Sequence, residues 1–292
     1  MQSSASIQPY YTTAVDALYA IGRTYLYDGK IAAARHLLEA SLHLLEVDDV
    51  PPSQRFQLLL LYGQVLIVDH LLARGGGDVE RIFATVEQAR QLAEASQSQR
   101  DMADALSLLG QAHYFAAVLG GAIVDDPHSG RYDEALAYQE QALRLRESLN
   151  DTRGISESLF QIGVIHERWQ RIERSEEYYS RARQLAEQHN HPFEKTEPAR
   201  HFAIHALMRG ELDLALDLAQ QALHLREEAG FKPYQPLDHL LLRDVYQAKG
   251  DQASAQIHAR QAADLATSMG YPTLVSTIGD TRSRLSSSSP TS

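Results

Sequence analysis

The sequence predicts an all-α protein, a right-handed superhelical solenoid of about six helix hairpins with a C-terminal capping helix. Apolar residues recur three or four positions apart: Leu159 and Ile162 share one side of a helix, and Tyr179 and Ala182 share one side of the next. The same two-helix plan returns at intervals of about 40 residues, with small residues at fixed positions. Because neither helix of such a hairpin can bury its apolar stripe alone, the hairpins must stack.

The predicted hairpins are delimited by residues that turn or break helices. Gly29 marks the first turn, and Pro51 and Pro52 begin the second hairpin. Gly75 follows the first helix of that hairpin, and Pro192 lies in the linker before the fifth. The predicted units are a lead-in (1–11), a solenoid (12–285) with hairpins at 12–50, 51–97, 100–150, 153–190, 194–229 and 235–269 and a cap at 272–285, and a disordered tail (286–292).

Three sets of small residues carry a resemblance to a known family. They are glycines inside first helices, glycines at turns and alanines in second helices: Gly22, Gly63, Gly110, Gly163; Gly29, Gly130, Gly210, Gly250; Ala34, Ala135, Ala215, Ala255. On these residues the chain resembles the tetratricopeptide repeat (TPR) family over about residues 12–270, in the longer-helix form of kinesin light chains, Rap-type regulators and bacterial transcription activators. Ala203 and Arg243 replace the glycine inside the helix, and Gln170 and Ser175 replace the turn glycine and the alanine.

Composition bounds the class of protein. The 292 residues are 44% hydrophobic, enough for a substantial core, and they contain no cysteine, which excludes disulfides and thiol chemistry. The net charge of −11 argues against a nucleic-acid partner. The sequence has neither an 18-residue apolar run nor a signal-peptide pattern, so we expect a cytoplasmic protein without a membrane partner.

The resemblance implies that the first helices line a concave groove. The positions that would face this groove are the candidate ligand-binding residues: Tyr19, Arg23, Tyr27, Gln64, Gln111, Tyr114, Phe115, Glu157, Phe160, Val164, Glu167, Arg168, Arg200, Ile204, Leu207 and Met208. Over all the inward-facing positions that the resemblance implies, about half are apolar, and the carboxylates outnumber the arginines Arg23, Arg168 and Arg200. The carboxylates are Asp16, Asp104, Glu157, Glu167, Glu197 and Asp244. We therefore expect an apolar, mildly acidic groove that holds a peptide or protein segment. The alternative is that the superhelix coils tightly and these side chains fill its centre.

Residues 116–129 form an extended connection in the third hairpin, where only a short turn is needed. One interpretation is a longer helix end followed by a solvated loop. The other is an apolar flap over the groove, formed by Leu119, Ala122, Ile123 and Val124. With such a lid, the same groove would suit a small-molecule sensor or an enzyme.

Histidines and carboxylates give a weak case for chemistry. His201 and His205 lie four apart on one helix face, and His166 and Glu167 come from the neighbouring hairpin, so the four are a candidate metal site. The alternative is ordinary packing. No catalytic set and no cofactor are predicted, and we expect a non-catalytic binding scaffold. The groove set contains no Lys or Asn, so the Lys/Asn carboxylate clamp of some TPR proteins is not implied.

Overall fold

The structure, a computed structural model, describes residues 7–47 and 49–277. The elements in chain order are α1 Gln8–Tyr27, α2 Ile31–Ser41, a 3₁₀ helix Leu42–Glu46, α3 Pro52–Leu72, α4 Val79–Ser96, α5 Gln99–Leu119, α6 Asp133–Ser148, α7 Thr152–Arg168, α8 Ile172–Gln188, α9 Thr196–Arg209, α10 Leu212–Glu228, a 3₁₀ helix Lys232–Tyr234, α11 Gln235–Ala248, α12 Gln252–Ser268 and α13 Leu274–Thr277. Within these residues there is no β-strand. Consecutive helices pack as six hairpins in tandem, which confirms the predicted all-α solenoid.

The two ends differ in detail from the sequence prediction. Helix α1 begins at Gln8, so the later part of the predicted lead-in is helical; Pro9 lies in its first turn, where a missing N–H costs nothing. At the other end, α13 covers Leu274–Thr277, and the Leu274 side chain is buried. The rest of the predicted cap and the predicted tail lie outside the described residues.

Helices end in a repeated backbone motif. At the end of α9, Gly210 has a φ of 76°, and the N–H of Glu211 donates to the carbonyl oxygen of Ala206 at 3.0 Å. This left-handed residue followed by a six-to-one bond is the Schellman ending that glycine favours. Two hairpins place a residue other than glycine at the equivalent position, Arg74 after α3 (φ 53°) and Gln170 after α7 (φ 57°). At these two turns the chain accepts a conformation that side chains disfavour.

The glycines inside first helices allow the second helix to approach closely. A Cβ added at Gly163 would lie 2.6 Å from Cε1 of Tyr179 on α8, and one at Gly63 would lie 3.0 Å from Cγ2 of Val86 on α4. The fifth hairpin has Ala203 at this position, fully buried. In the sixth, Arg243 pairs with the neighbouring Asp244, and α11 and α12 still pack against each other.

We expect Gly163→Ala to destabilise the protein. Alanine is favoured over glycine in a helix by about 1 kcal/mol. The new methyl group would, however, strike the buried Tyr179 ring, and such overpacking costs about 1–3 kcal/mol. Urea unfolding of G163A and G22A makes the comparison. A Cβ at Gly22 would meet Leu38 and Leu61 no closer than 3.0 Å, whereas one at Gly163 would lie 2.6 Å from the Tyr179 ring. Equal stabilities for the two variants would contradict the close-approach explanation.

A buried arginine joins the third hairpin to the fourth. The guanidinium of Arg146, on α6, donates to Asp104 Oδ1 of α5 at 3.0 Å. It also donates to Glu157 Oε2 at 2.9 Å and to Ser158 Oγ at 2.8 Å, both on α7. One side chain therefore ties its own hairpin to the first helix of the next.

Arg226 plays the same part between the fifth and sixth hairpins. Fully buried on α10, it donates to Asp238 Oδ2 of α11 at 2.8 Å and to Thr196 Oγ1 of α9 at 3.0 Å. Its NH2 also lies 2.5 Å from Glu197 Oε1. The sequence ALxLRE occurs at both places, at 142–147 and 222–227, and its arginine is the buried one.

Replacing Arg226 with alanine should therefore lower the free energy of unfolding by about 3–5 kcal/mol. Glu197 would lose its ion pair, and the buried Asp238 would keep only the more distant Arg200, at 3.5 Å. Arg144→Ala is the matched control, since Arg144 is two-thirds exposed on α6. We expect that control to change stability by about 0.5 kcal/mol or less. Chemical denaturation measures both, and a small loss for R226A would show that the buried pair contributes little.

The solenoid curves until its last hairpins contact its first two. Lys232 Nζ lies 3.0 Å from Asp28 Oδ1, and the Tyr271 hydroxyl donates to Asp69 Oδ1 at 2.5 Å. The ring of Phe231 packs edge-on against Tyr27, with 5.2 Å between centroids. The largest hydrophobic cluster accordingly combines residues of α1–α5 with residues of α11–α13. This closure encloses the inner side of the solenoid.

Helix α3, Pro52–Leu72, is long and apolar enough to cross a membrane by length and composition, and it is the one such helix among the described residues. In this fold 67% of its most apolar window is buried against other helices. A central core helix meets the same criterion.

Candidate functional site

The inner side of the closed solenoid contains a chamber with two lobes. The C-terminal lobe, about 260 Å³, is lined mainly by α5, α7, α9 and α11. The N-terminal lobe, about 350 Å³, is lined mainly by α1, α3, α5 and α7. The lobes share five lining residues, Gln111, Glu157, Phe193, Glu194 and Tyr234. First helices supply most of the wall of both, as in the groove implied by the resemblance.

Most of the predicted groove residues line this chamber. Those in the wall of the C-terminal lobe are Gln111, Tyr114, Phe115, Glu157, Phe160, Val164, Glu167, Arg168, Arg200 and Ile204. Those in the wall of the N-terminal lobe are Tyr19, Arg23, Tyr27 and Gln64, together with Gln111 and Glu157. These residues border a cavity, although Tyr114, Val164, Glu167 and Ile204 are themselves buried.

Leu207 and Met208 are the exceptions, and they line neither lobe. Leu207 is 1% exposed within the apolar cluster formed by α9, α10 and α11, and Met208 packs against the same cluster. The C-terminal turn of α9 passes beyond the chamber, which ends on this helix at Ile204. The predicted ligand contact of these two residues is therefore corrected to a packing role.

Aromatic rings form much of the chamber wall. Phe160 stacks on Tyr179 with centroids 5.5 Å apart, and meets the His201 ring at 5.3 Å. Where the two lobes join, Phe231 lies between Phe193 and Tyr234, at 5.1 and 5.0 Å. These rings give the interior a rigid apolar surface with little side-chain entropy to lose on binding.

The carboxylates of the chamber are all neutralised by residues of the chain itself. Glu157 accepts a hydrogen bond from Gln111 at 2.9 Å and another from Arg146. Glu194 lies 2.5 Å from Arg153 Nε, and Glu197 is paired with Arg226. The acidic residues predicted for the groove are present, but they are already engaged. Because these carboxylates are already paired, they do not favour a positively charged ligand.

Glu167 is the centre of the most buried polar cluster in the wall. Its Oε2 lies 2.7 Å from His201 Nδ1 and 3.1 Å from His205 Nε2, and accepts a hydrogen bond from the Tyr179 hydroxyl at 2.9 Å. Its Oε1 is 2.5 Å from Arg168 NH2. Burial raises the pKa of this carboxyl, but the charges of His201 and Arg168 and the histidine hydrogen bonds outweigh burial and hold the pKa well below its usual 4.5. Glu167 is therefore an ionised structural anchor.

His205 lies between two carboxylates. Its Nδ1 is 3.0 Å from Glu176 Oε1 while its Nε2 faces Glu167, so both ring nitrogens are placed to donate. Burial lowers the pKa of His205, but the bonds to Glu167 and Glu176 outweigh it, and the pKa lies above its usual 6.5. Arg209, at 2.8 Å from Glu176, completes the cluster on its outer side.

The fourth member of the candidate metal site lies elsewhere. His166 stacks on Tyr178, with centroids 5.3 Å apart, and contacts Trp169. Burial together with the charges of Arg171 and Arg174 lowers its pKa to about 4. In the part of the chain that the structure describes, no group of three or more His, Asp or Glu side chains has the geometry to hold a metal. Glu167, His201 and His205 instead satisfy one another.

Protonated His205 gives the protein a pH-dependent stability. Because its pKa is higher in the folded state, its contribution is complete below about 6.5 and is lost as pH rises through the folded-state pKa. Between pH 6 and 9 we expect His205→Gln to flatten the fall in unfolding free energy that the unmodified protein shows.

Urea titrations at several pH values measure this difference. The matched control is His224→Gln, because His224 on α10 is 69% exposed and pairs only with Glu228. Parallel pH profiles for H205Q and the unmodified protein would show that His205 is neutral in the fold.

The extended connection of the third hairpin is anchored to the end of α7. Arg168 NH1 donates to the carbonyl oxygen of Ile123 at 3.2 Å, and the N–H of Asp125 donates to the carbonyl oxygen of Arg168 at 3.0 Å. Ala122 is buried, with its carbonyl oxygen bonded to the Tyr132 hydroxyl. The Ile123 side chain reaches the C-terminal lobe. This part of the connection is therefore packed against the fold rather than solvated along its length.

Several chamber residues escaped the sequence analysis. Phe193 and Tyr234 lie in the short segments between hairpins, which repeat-based counting along helices does not reach. Arg74 lies in the turn after α3, two residues beyond its last helical residue, and is outside the first-helix positions as well. The shared role of Arg146 and Arg226 could have been predicted, because both arginines occupy the same position in the recurring motif ALxLRE.

The fold and its chamber define the class of this molecule, an α-helical repeat solenoid with an internal cavity. The tetratricopeptide repeat family model matches residues 128–188, the second helix of the third hairpin and the whole of the fourth. A search of curated proteins finds no match to the sequence.

Solved structures extend the likeness over most of the chain. The Rap conjugation gene regulator of plasmid pLS20, in complex with the Phr* peptide, is similar with a TM-score of 0.64 and 15% identity, over 95% of this chain and 67% of that one. RapI in its apo form gives 0.61 and 12%, over 92% and 86%. BtubC from P. vanneervenii gives 0.53 and 18%, over 84% and 93%. At these identities the likeness establishes the fold.

Proposed function

We propose that this protein is a non-catalytic binding module that holds a peptide or protein segment in its chamber. The observation that supports the proposal is a concave space on the inner side of the solenoid, with a mainly apolar C-terminal lobe and a more polar N-terminal lobe. The lobes, about 260 and 350 Å³, lie next to each other and share five wall residues. An elongated ligand fits two connected lobes better than a compact one does.

The structural relatives support a peptide as the ligand. The plasmid pLS20 regulator, similar over 95% of this chain, is a Rap protein in complex with the Phr* peptide. Two features of the chamber suit the same class of ligand: aromatic side chains for apolar contacts, and Gln64 and Gln111 in the wall, whose amides both donate and accept hydrogen bonds.

A small apolar molecule is the second candidate. The observation that favours it is Ile123, which the extended connection places in the wall of the C-terminal lobe while Arg168 anchors the same segment. The segment would then serve as a lid over that lobe. Such a ligand would occupy the C-terminal lobe and leave the N-terminal lobe free.

Native mass spectrometry of the purified full chain distinguishes these ligands. We expect one-to-one complexes after addition of a pool of N-acetylated apolar hexapeptides with free carboxylates. Phe160→Ala should reduce the bound fraction roughly tenfold, because it removes an aromatic wall contact of the kind that dominates binding energy. Ile257→Ala is the control, since Ile257 is 56% exposed on α12, outside both lobes.

Circular dichroism of F160A confirms that any loss of binding is not a loss of helix. A co-purified mass that matches a small organic molecule, displaced by no peptide, would replace the peptide proposal with the second candidate. Equal binding by F160A and I257A would remove the chamber from consideration as the site.

A further inference from the structure

The charge left over in the chamber is positive. Every carboxylate in the wall of either lobe has a cationic partner within 4 Å, whereas two of the arginines there have no carboxylate partner in the part of the chain described here. One is Arg23, an exposed side chain in the N-terminal lobe that lies over the Tyr27 ring at 4.5 Å. The other is Arg74, in the C-terminal lobe.

Arg74 differs from the other charged groups of the wall in its environment. Its side chain is partly buried, and no hydrogen bond, ion pair or ring contact to it occurs among residues 7–47 and 49–277. Burial lowers the pKa of its guanidinium, with no neighbouring carboxylate to oppose the effect. A partly buried guanidinium that lines a cavity and has no carboxylate partner has donors free to receive an anion there.

The backbone at Arg74 is also placed at a cost. It has a φ of 53° at the left-handed position that closes α3, a conformation that Gln170 also adopts after α7, whereas the endings of α1, α9 and α11 have Gly29, Gly210 and Gly250. A side chain at this position is disfavoured. Of the described residues other than glycine that have a positive φ, Arg74 is the one that lines the chamber.

Building on the proposed function, we infer that the bound peptide presents a carboxylate to Arg74. The carboxylate comes from the C-terminus of the peptide or from an acidic side chain, and its partner is a guanidinium with free donors in an otherwise apolar lobe. Val118 and Ile123 line the same lobe, so residues of the peptide next to the carboxylate are apolar. The site uses an arginine outside the first-helix positions, which explains why it needs no Lys or Asn in the groove.

Three pools of N-acetylated apolar hexapeptides test the inference on the full chain by native mass spectrometry. The first has free C-terminal carboxylates, the second is C-terminally amidated, and the third is amidated with one Glu per peptide. We expect the neutral amidated pool to be bound roughly tenfold less than the better of the other two, since hydrogen bonds to charged groups are the strong ones. The first and third pools separate the two sources of the carboxylate.

Arg74→Gly is the decisive variant. It removes the guanidinium and also the left-handed strain, so we expect a higher melting temperature together with equal binding of all three pools. Arg74→Lys should keep part of the preference, and Arg144→Gln, on the exposed face of α6, should keep all of it.

Two results overturn the inference. A preference for carboxylates that survives in R74G would assign the charge recognition to another residue. Equal binding of the three pools by the unmodified chain would show that the ligand is neutral, and peptide binding itself would stand. Failure of every pool to bind would remove the peptide proposal and this inference together.

Discussion

The buried arginines Arg146 and Arg226 set how successive hairpins join. Each arises from a second helix and reaches carboxylates or hydroxyls on both its own first helix and the next one. Apolar stripes alone would allow neighbouring hairpins to slide, because contact between hydrocarbon surfaces is not directional. A guanidinium with fixed donors has few acceptable positions, so these two joints fix the curvature that brings the ends of the solenoid together.

The same ion pairs shape the chamber. Asp104, Glu157 and Glu197 face the interior, and each is engaged by Arg146 or Arg226 from behind the wall. The carboxylates of the interior are therefore compensated by cations of the chain, and Arg23 and Arg74 remain without a carboxylate partner among the described residues. A count of charges along the groove positions predicts an acidic surface, because that count omits cations that reach the wall from second helices.

The sequence predicted the repeating architecture well because its causes are local. Helical periodicity and the glycines inside first helices act between residues of one hairpin, and Gly163 against Tyr179 is a direct example. Most of the groove positions followed from the same register. Leu207 and Met208 did not, because how far each helix extends along the chamber depends on the curvature of the whole array.

Contacts between distant parts of the chain lay outside the reach of sequence reasoning. Tyr271 and Asp69 are 202 positions apart, and nothing in either local pattern marks the other. The sequence did not mark Arg74 either, because its lack of a carboxylate partner depends on how distant segments pack and not on the spacing of residues around it. The pairing of His201 and His205 with Glu167 was anticipated as a candidate cluster, but its role as a self-satisfied anchor depended on the position of Tyr179.

The contact between the first and last hairpins changes how the molecule unfolds. In an open array each terminal repeat has one neighbour and frays alone, so the molecule melts from its tips. Here the outermost units support each other through Lys232, Tyr271 and the shared apolar cluster. A chain joined in this way behaves as a loop without free tips, and loss of one terminal unit deprives the opposite one of its support. Shortened versions of this protein would therefore lose stability at both termini at once.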